Sequence, residues 1–380
     1  MKVLHLFSNY RLTGPSEPAL NLCLTLQKRG WDVALACCKP PPWAVPDVAA
    51  IAERMGIRTI RGFHLEKHFR LLDNISDIRR MTKLLRDEAV DLLHVHMTND
   101  HLVGGWAARR CGRAVHVVRT TYEAGLRGTL RNRLLMGRLT DALIVQSHTA
   151  ARADADRFGL DPKRVFVVEG AVDTDRFSPD RRLPPMRSEL GLAADDFVVG
   201  IVARIQLRRR FEDLLEALKL AAARAPRLKL MIVGRGTKMH EAAVEPAQRL
   251  GLTDRVVFAG YHRGDDYVRV LDAMDVKVFL VPGTDGSCRA LREAMAMGKP
   301  AIAARRGMLD QIVQDGTTGL VVDGSPQQLA DAMVRLALDA KACRAMGQAA
   351  LHVARTRFTL KRQAERVEAV YRAVAGADPR

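Results

Sequence analysis

The chain has 380 residues, a formal net charge of +17, 48% hydrophobic and 27% charged residues. This length exceeds one ordinary hydrophobic core, so two domains are expected, and the composition excludes a disordered protein. No uncharged apolar stretch reaches the ~18–20 residues of a membrane span, and the N-terminus lacks the apolar core and cleavage site of a signal peptide. Six cysteines without C-x-x-C spacing favour reduced thiols, so we expect a cytoplasmic protein.

In the first part of the chain, short apolar runs alternate with helical stretches. An amphipathic helix is predicted at residues 17–29, and strands are predicted at 2–8, 32–38, 91–96, 115–120, 142–147 and 165–169. This alternation is typical of a parallel sheet that helices cover on both faces. From residue 173 to 196 the chain is rich in Pro, Arg and Asp without a hydrophobic period, which predicts an interdomain linker at 176–196.

A second series of strands and helices follows. Its predicted strands are residues 197–203, 228–234, 255–260, 276–281, 301–304 and 320–322. Two doubly wound α/β domains, 1–175 and 197–359, are therefore expected to face each other across a cleft lined by the carboxyl ends of their strands, where such folds bind ligands.

The segment GTDGSCRALREAMAMGKP, residues 283–300, carries the most chemistry. Its glycines and helix formers predict a loop that opens a helix ending at Gly298, with Pro300 just beyond. A helix N-terminus offers free N–H groups and positive dipole charge, which suits a phosphate. Along a helix, Asp285 and Glu293 would lie ~12 Å apart, too far to share one metal and suited to an elongated ligand.

This segment resembles the E-x7-E signature of retaining glycosyltransferases of family 4, with the E-A-M-A-x-G-x-P run starting at Glu293. The resemblance implies the GT-B fold of two Rossmann-like domains, in which the last helix, within 360–380, packs back onto the first domain. It also implies that Asp285, in place of the first Glu, contacts the transferred sugar and that Glu293 contacts the ribose and diphosphate. Gly286 is assigned to substrate binding, and Ser287 and Cys288 stand where the family usually has Phe-Gly.

Arg204 ends a predicted strand, and Arg208, Arg209 and Arg210 precede the next helix. Guanidinium groups bind phosphate oxygens in pairs, so this segment is a candidate diphosphate clamp. It is similar to the family's G-R-L-x-x-x-K-G stretch, which assigns donor phosphates to Arg204 and to Arg209 in the lysine's place. Arg210 replaces the glycine of that stretch and is expected to crowd the loop.

Two further motifs fall at predicted strand ends. Gly234 and Gly236 lie in V-G-R-G, which by itself is as well explained by a structural turn as by ligand binding. It stands where the family has I-V-G-x-G. Val257 and Phe258 begin a stretch similar to the family's V-x-F-x-G, whose backbone reads the nucleobase.

The first domain matches less closely. Gly14 remains from the family's Gly-Gly loop, but Pro15 removes an N–H. His94 and His96 project from one face of a strand that resembles the family's D-x-x-H-x-H strand. Without a third ligand nearby in sequence, we predict packing or contact with the acceptor for these histidines, and no metal. Tyr122 stands where the family has a histidine beside the sugar, and a tyrosine is no neutral base near pH 7.

The positive charge calls for an anionic partner. Aromatic residues are only 5%, and no nucleic-acid module is present, which disfavours nucleic acid. Nine basic residues crowd one part of the first domain against few acids: Arg54, Arg58, Arg61, Lys67, Arg70, Arg79, Arg80, Lys83 and Arg86. Attachment to an anionic inner membrane face is the expectation, and the alternative is the arginine-rich codon usage of a GC-rich genome.

The resemblance implies sugar transfer from a nucleoside diphosphate donor to a saccharide or lipid-linked acceptor, in cell-surface polysaccharide or lipopolysaccharide synthesis, without cofactor or metal. The alternative is a catalytically weakened homologue that binds a nucleotide sugar or an anionic partner. A nucleotide-dependent dehydrogenase is disfavoured, because no G-x-G-x-x-G with an acid about 20 residues on follows the first strand.

Overall fold

The computed structural model describes residues 1–41, 47–123, 125–281 and 288–376. The chain divides into two compact units. One comprises Met1–Ala171 with the C-terminal segment that begins at Leu360; the other comprises the described residues between Val172 and Thr359. Each contains a parallel sheet with helices between its strands, which confirms the predicted α/β class.

The first unit has a seven-stranded sheet. Its strands are β1 (Lys2–Phe7), β2 (Asp32–Cys38), β3 (Arg58–Phe63), β4 (Leu92–Val95), β5 (His116–Thr120), β6 (Ala142–Val145) and β7 (Val165–Val167). Their order across the sheet is β3-β2-β1-β4-β5-β6-β7. The chain order reverses between β1 and β4, so the carboxyl ends of these two strands mark the switch point where doubly wound sheets bind ligands.

Helices cover both faces of this sheet, because its inner strands are apolar on both sides. They are α1 (Ser16–Lys28), α2 (Val48–Arg54), α3 (Leu71–Asp87), α4 (Thr98–Ala108), α5 (Leu130–Arg138) and α6 (His148–Phe158). Local signals set their ends: the Ser147 hydroxyl accepts the N–H of Ala150 at the start of α6, and Gly159 ends it in the left-handed region.

The second unit has a six-stranded sheet. Its strands are β8 (Phe197–Val202), β9 (Leu228–Val233), β10 (Val256–Gly260), β11 (Val276–Phe279), β12 (Ala301–Ala304) and β13 (Gly319–Val322). They lie in the order β10-β9-β8-β11-β12-β13, with the switch point between β8 and β11. The helices of this unit are α7 (Phe211–Ala222), α8 (Glu245–Arg249), α9 (Gly264–Asp272), α10 (Arg289–Ala296), α11 (Leu309–Ile312), α12 (Pro326–Leu338) and α13 (Ala340–Arg357).

The segment predicted as a linker, 176–196, packs onto the second unit. Phe177, Met186 and Leu192 are buried in the core that also holds residues of β8, α9 and α10. The segment lacks a period, yet these apolar side chains anchor it.

The last helix, α14 (Leu360–Ala375), packs against α1 in the first unit. Tyr371 is fully buried and meets the ring of Trp31 edge-on at 5.5 Å between centroids. Arg29, directly after α1, donates both a short and a 3.2 Å hydrogen bond to the Glu368 carboxylate, and Arg366 pairs with Glu169 at 2.7 Å. Burial and ion pairs together hold this helix to the unit.

All six cysteines are free and buried. Cys37 and Cys38 belong to different core clusters, as expected of neighbours on one strand. Among the described residues, no helix is both long and apolar enough to cross a membrane.

Candidate functional site

A polar site lies at the switch point of the second sheet. Arg204 follows β8, and the helix α10, which carries Glu293, follows β11. These two strands are neighbours in the sheet, and their carboxyl ends share one edge. The structure therefore brings the predicted acid and the predicted arginine segment to the same edge of one unit.

Glu293 is buried, and both of its carboxylate oxygens are engaged. The Tyr267 hydroxyl donates to Oε2 at 2.6 Å, and Arg289 Nε lies 3.1 Å from Oε1, one helical turn earlier. A buried carboxylate held in this way has a fixed orientation, which suits it to accept hydrogen bonds from ligand hydroxyls. The sequence analysis did not predict a role for Tyr267 or Arg289. Arg289 lies four residues before Glu293, the spacing of neighbours on one face of a helix, whereas no sequence pattern signals Tyr267.

The arginine segment has two different environments. Arg204 is exposed, whereas a guanidinium N–H of Arg209 donates to the carbonyl of Val281, just beyond β11. Arg210 adopts φ 59° and ψ 42° as the residue before α7 and pairs with Asp213. A side chain in this left-handed region is strained, so Arg210 occupies a position that favours glycine; crowding of the loop by Arg210 stays a prediction.

Gly234 and Gly236 are required by the protein itself. A Cβ on Gly234 would lie 2.0 Å from the carbonyl oxygen of Ala203, and one on Gly236 would lie 1.9 Å from that of Ile205. The loop after β9 thus packs directly against the segment after β8. Of the two interpretations left open by the sequence, this contact supports the structural one; ligand binding by the same loop stays a prediction.

Val257 and Phe258 lie half-buried on the edge strand β10. The pairing with β9 shifts register between Phe258 and Gly260, which leaves the Ala259 carbonyl to accept a 2.6 Å hydrogen bond from His262. The predicted nucleobase strand therefore ends in a bulge, where the backbone departs from the regular pairing with β9. Beyond it lies a feature that the sequence did not signal. The guanidinium carbons of Arg235 and Arg263 lie 4.4 and 5.1 Å from the ring centroid of the exposed Tyr261.

Lys277 is a second buried charge near this site, on β11. Its side chain is fully buried, and its Nζ has no hydrogen-bond partner within the described part of the chain. Burial lowers the pKa of Lys277 to about 7, although the Glu293 carboxylate favours the charged form. No sequence pattern signals this group, since a single lysine in an apolar strand is not a motif.

The predicted sugar contact Asp285 and the glycine Gly286 lie outside the described residues. The described part of this segment resumes at Cys288, which takes φ 44° before α10. Cys288 stands at a glycine position of the resemblance, and like Arg210 it adopts the backbone conformation that glycine favours.

In the first unit, Gly14 follows β1, His94 and His96 lie in and just after β4, and Tyr122 follows β5. Gly14 lies in the exposed turn before α1, and the described protein has nothing within 4 Å of a Cβ built there. Pro15 directly precedes α1. The turn can therefore tolerate a larger residue as far as the protein's own packing is concerned.

His94 and His96 are buried beside a third histidine, His5, from β1. His94 lies between the Tyr371 hydroxyl at 2.5 Å and the Thr120 hydroxyl at 2.7 Å. The other contacts are His96 Nδ1 to the Tyr122 hydroxyl at 2.9 Å, His96 Nε2 to His5 Nδ1 at 3.0 Å and His5 Nε2 to the Tyr371 hydroxyl at 3.3 Å. Contact between His96 and a substrate would therefore pass through the half-buried Tyr122.

The prediction of no metal relied on the lack of a third ligand nearby in sequence, and β1 supplies one. One nitrogen from each ring of His5, His94 and His96 lies within 4.8 Å of the others. However, all six ring nitrogens already have hydrogen-bond partners in the protein. A metal ion would have to displace several of these bonds, so the described geometry fits a hydrogen-bonded cluster better than a metal centre.

Comparison with known proteins covers both units. Residues 184–353 match the family model described as Glycosyl transferases group 1, and residues 14–176 match that of Glycosyltransferase Family 4. A D-inositol 3-phosphate glycosyltransferase of Salinispora tropica is 33% identical over 290 residues, which cover 68% of this chain and 60% of that protein. One from Mycobacterium sp. (strain KMS) is 35% identical over 189 residues, 48% of this chain and 42% of that protein. The matches thus span about half the length of these curated relatives.

The fold is also that of a solved structure. Alr3699/HepE from Anabaena, in complex with UDP, has a TM-score of 0.81 at 19% identity, with 98% of this chain and 100% of that chain covered. At this identity the likeness establishes the shared fold.

Proposed function

Because this chain belongs to the group 1 glycosyltransferases of family 4, we propose that it transfers a sugar from a nucleoside diphosphate donor with retention of anomeric configuration. The proposed acceptor is a saccharide or a lipid-linked saccharide of cell-surface polysaccharide or lipopolysaccharide. The net charge of +17 favours an acceptor that carries phosphate or another anion.

The observation that carries this proposal is the buried Glu293 carboxyl group at the same sheet edge as Arg204 and Arg209. A carboxylate accepts hydrogen bonds from ribose hydroxyls, whereas guanidinium groups donate to diphosphate oxygens. A nucleoside diphosphate contains both kinds of group, the ribose hydroxyls and the diphosphate on the 5′ oxygen of the same ribose. The proposed division of labour gives Asp285 the transferred sugar.

In the proposed mechanism no protein nucleophile is needed. The acceptor hydroxyl attacks the anomeric carbon on the face from which the diphosphate leaves, and the departing phosphate oxygen takes the hydroxyl proton. The C–O bond to the acceptor forms as the C–O bond to the diphosphate breaks. Arg204 and Arg209 stabilise the charge that develops on the leaving phosphate.

A panel of UDP- and GDP-sugars tests the proposal. Each is incubated with the protein, release of nucleoside diphosphate is measured, and the anomeric configuration of the product is determined by NMR. Slow hydrolysis of one donor, or transfer to an added saccharide, with retained configuration is the expected result. A product of inverted configuration would contradict the mechanism.

A second candidate is a weakened homologue that binds a nucleotide sugar without transferring it. It is favoured by the strained Arg210 in the arginine segment and by the internal hydrogen bond that engages Tyr122. Calorimetric binding of UDP or GDP by a protein that turns over no donor of the panel would select this candidate.

A further inference from the structure

Six side chains of the first unit form one series of five hydrogen bonds. In order, they are Tyr122, His96, His5, Tyr371, His94 and Thr120. The members come from three neighbouring strands, or the residues just after them, and from the C-terminal helix. All except Tyr122 at one end are buried, so water cannot readily replace a partner inside the series.

The chemistry of imidazole gives such a series a direction. A neutral histidine carries one N–H and one bare nitrogen, so a ring that uses both nitrogens donates through one and accepts through the other. The Tyr371 hydroxyl has one proton and contacts two rings, so it donates to one and accepts from the other. The direction chosen at either end is therefore imposed on every bond between.

The imidazoles are neutral because they are buried. Burial lowers the pKa of His5 to about 3 and holds the pKa values of His94 and His96 well below the usual range. Neighbouring rings and the positive charge of Arg119 add to the effect on His94 and His96. A doubly protonated ring, which would break the direction of the series, is thus unfavourable at pH 7.

We propose that this series is a two-state hydrogen-bond relay in which His5, His94 and His96 always share one tautomer. In one state all three carry the proton on Nε2, Tyr122 donates to His96, and Thr120 accepts from His94. In the other state all three carry it on Nδ1, Thr120 donates to His94, and Tyr122 accepts from His96. Conversion balances ring by ring: when the series opens transiently, each imidazole releases the proton of one nitrogen to water and takes a proton from water on the other, while each hydroxyl keeps one proton and turns.

The relay decides what Tyr122 can offer to a ligand, a consequence that rests on the proposed function. In the Nε2 state the Tyr122 proton points inward, so its oxygen accepts a hydrogen bond from a sugar or acceptor hydroxyl. In the Nδ1 state that proton is free to be donated outward. Because the relay inverts without taking up net charge, Tyr122 acts as a positioning residue and not as a base.

The first test is the tautomer of each ring in the wild-type protein. Nitrogen-15 labelling of histidine and long-range proton–nitrogen NMR at pH 7 distinguish Nδ1–H from Nε2–H, and single histidine substitutions assign the signals. We expect the three rings to show one shared tautomer. A mixture of tautomers among His5, His94 and His96, or an imidazolium among them, would overturn the relay.

The second test is transmission along the series. If the wild type is in the Nε2 state, Thr120→Val orphans the His94 N–H, which costs more than a bare nitrogen, so the Nδ1 population rises. The rise must reach His96, which does not contact Thr120. If the wild type is in the Nδ1 state, Tyr122→Phe orphans the His96 N–H instead, and the Nε2 population must rise at His94.

Two variants make this test specific. Tyr371→Phe keeps the ring against Trp31 but cuts the series, so adding it should abolish the response at the far ring. Thr121→Val removes a buried hydroxyl next to Thr120 that accepts the Glu123 N–H and takes no part in the series, so it should leave all three tautomers unchanged. A far ring that fails to respond in the end variant, or that still responds after Tyr371→Phe, would contradict the coupling. Sugar transfer does not enter these measurements, so failure of the proposed function leaves their outcome unaffected.

Discussion

Lys277 lies fully buried in the apolar core of the second unit, on the strand that precedes the Glu293 helix. The amine nitrogen of Lys277 lies 5.9 Å from the ring centroid of Phe279. This cation–π contact and the apolar stem of the side chain offset part of the cost of burial. The amine itself lacks a hydrogen-bond partner within the described residues. Such a group destabilises the fold, because the unfolded chain keeps it hydrated and charged.

We predict that Lys277→Met increases the free energy of unfolding at pH 7 by about 1–3 kcal/mol, the cost of an unsatisfied buried polar group. The difference in the free energy of unfolding between this variant and the wild type should depend on pH. The unfolded lysine keeps its proton up to its ordinary pKa of 10.5, whereas the folded one releases it near pH 7, so between these values the unfolded state binds more protons. Wild-type stability therefore rises with pH in that window, by up to ~1.4 kcal/mol per unit, and the gap to the variant narrows.

Urea denaturation of both proteins at pH 7 and pH 9 measures this effect. The exposed Lys219 on α7 supplies the control, since Lys219→Met should leave the pH dependence as in the wild type. Parallel stability curves for wild type and Lys277→Met would show that the lysine is not held neutral.

Arg204 and Arg209 provide the test of the phosphate clamp. We predict that Arg204→Ala and Arg209→Ala each weaken binding of the product diphosphate, UDP or GDP, by about 1.5–3 kcal/mol, since each removes charge-assisted hydrogen bonds. Isothermal calorimetry measures the change. Arg208→Ala is the matched control, because Arg208 is exposed in the same segment and donates to the neighbouring Gln206 side chain. Equal losses in all three variants would indicate a general effect of charge.

At the scale of an element, the start of α7 is strained. Arg210 holds a left-handed backbone there, which costs an L-residue roughly 1–2 kcal/mol, while its ion pair with Asp213 returns a fraction of that amount. We predict that Arg210→Gly raises the free energy of unfolding by about 0.5–1 kcal/mol, despite the lost ion pair. Arg210→Ala keeps the strained Cβ and loses the pair, so it should lower stability. Thermal denaturation separates the two, and a glycine variant no more stable than the alanine variant would rule out strain at this position.

The elements that the sequence predicts well are the strands whose side chains are mostly apolar. The strand predicted at 301–304 is found as Ala301–Ala304, and that at 2–8 as Lys2–Phe7, because buried parallel strands are apolar throughout. Strand β3 was missed: at the sheet edge, its arginines face solvent and interrupt any apolar run. The segment 176–196 looked like a linker because its three anchoring apolar residues have no period.

For the site, sequence predicts what a local motif encodes and misses what the fold assembles. Glu293 and the arginine segment were found because their spacing is short. Lys277 and Tyr267 carry no motif and approach Glu293 only through packing of β11 and α9. The histidine relay joins residues up to 366 positions apart, His5 and Tyr371, so only the folded sheet and α14 reveal it.

At the scale of the whole molecule, the chain carries a net charge of +17, and some of its basic residues form ion pairs with nearby acids. All nine basic residues singled out in the first unit are exposed, but Arg58, Arg61 and Arg70 pair with nearby acids, which corrects the expectation of few acids around them. The start of α3 adds an apolar group that the charge pattern did not predict: Phe69, Leu71, Leu72 and Ile75 are exposed. Exposed apolar side chains among basic ones are typical of surfaces that rest on anionic membranes.

We therefore predict salt-sensitive binding of the full chain to phosphatidylglycerol vesicles and little binding to phosphatidylcholine vesicles. Leu71 and Leu72, 61% and 80% exposed, should contribute by entering the interface, and the basic residues by roughly 1 kcal/mol each where they approach it. Vesicle sedimentation at low ionic strength measures this binding. Leu72→Ser should weaken it severalfold, whereas Leu338→Ser, at a similarly exposed leucine of the second unit, should not. A protein that stays in the supernatant with anionic vesicles would leave codon usage as the explanation of the charge, and equal weakening by both serine variants would remove the α3 surface from the contact.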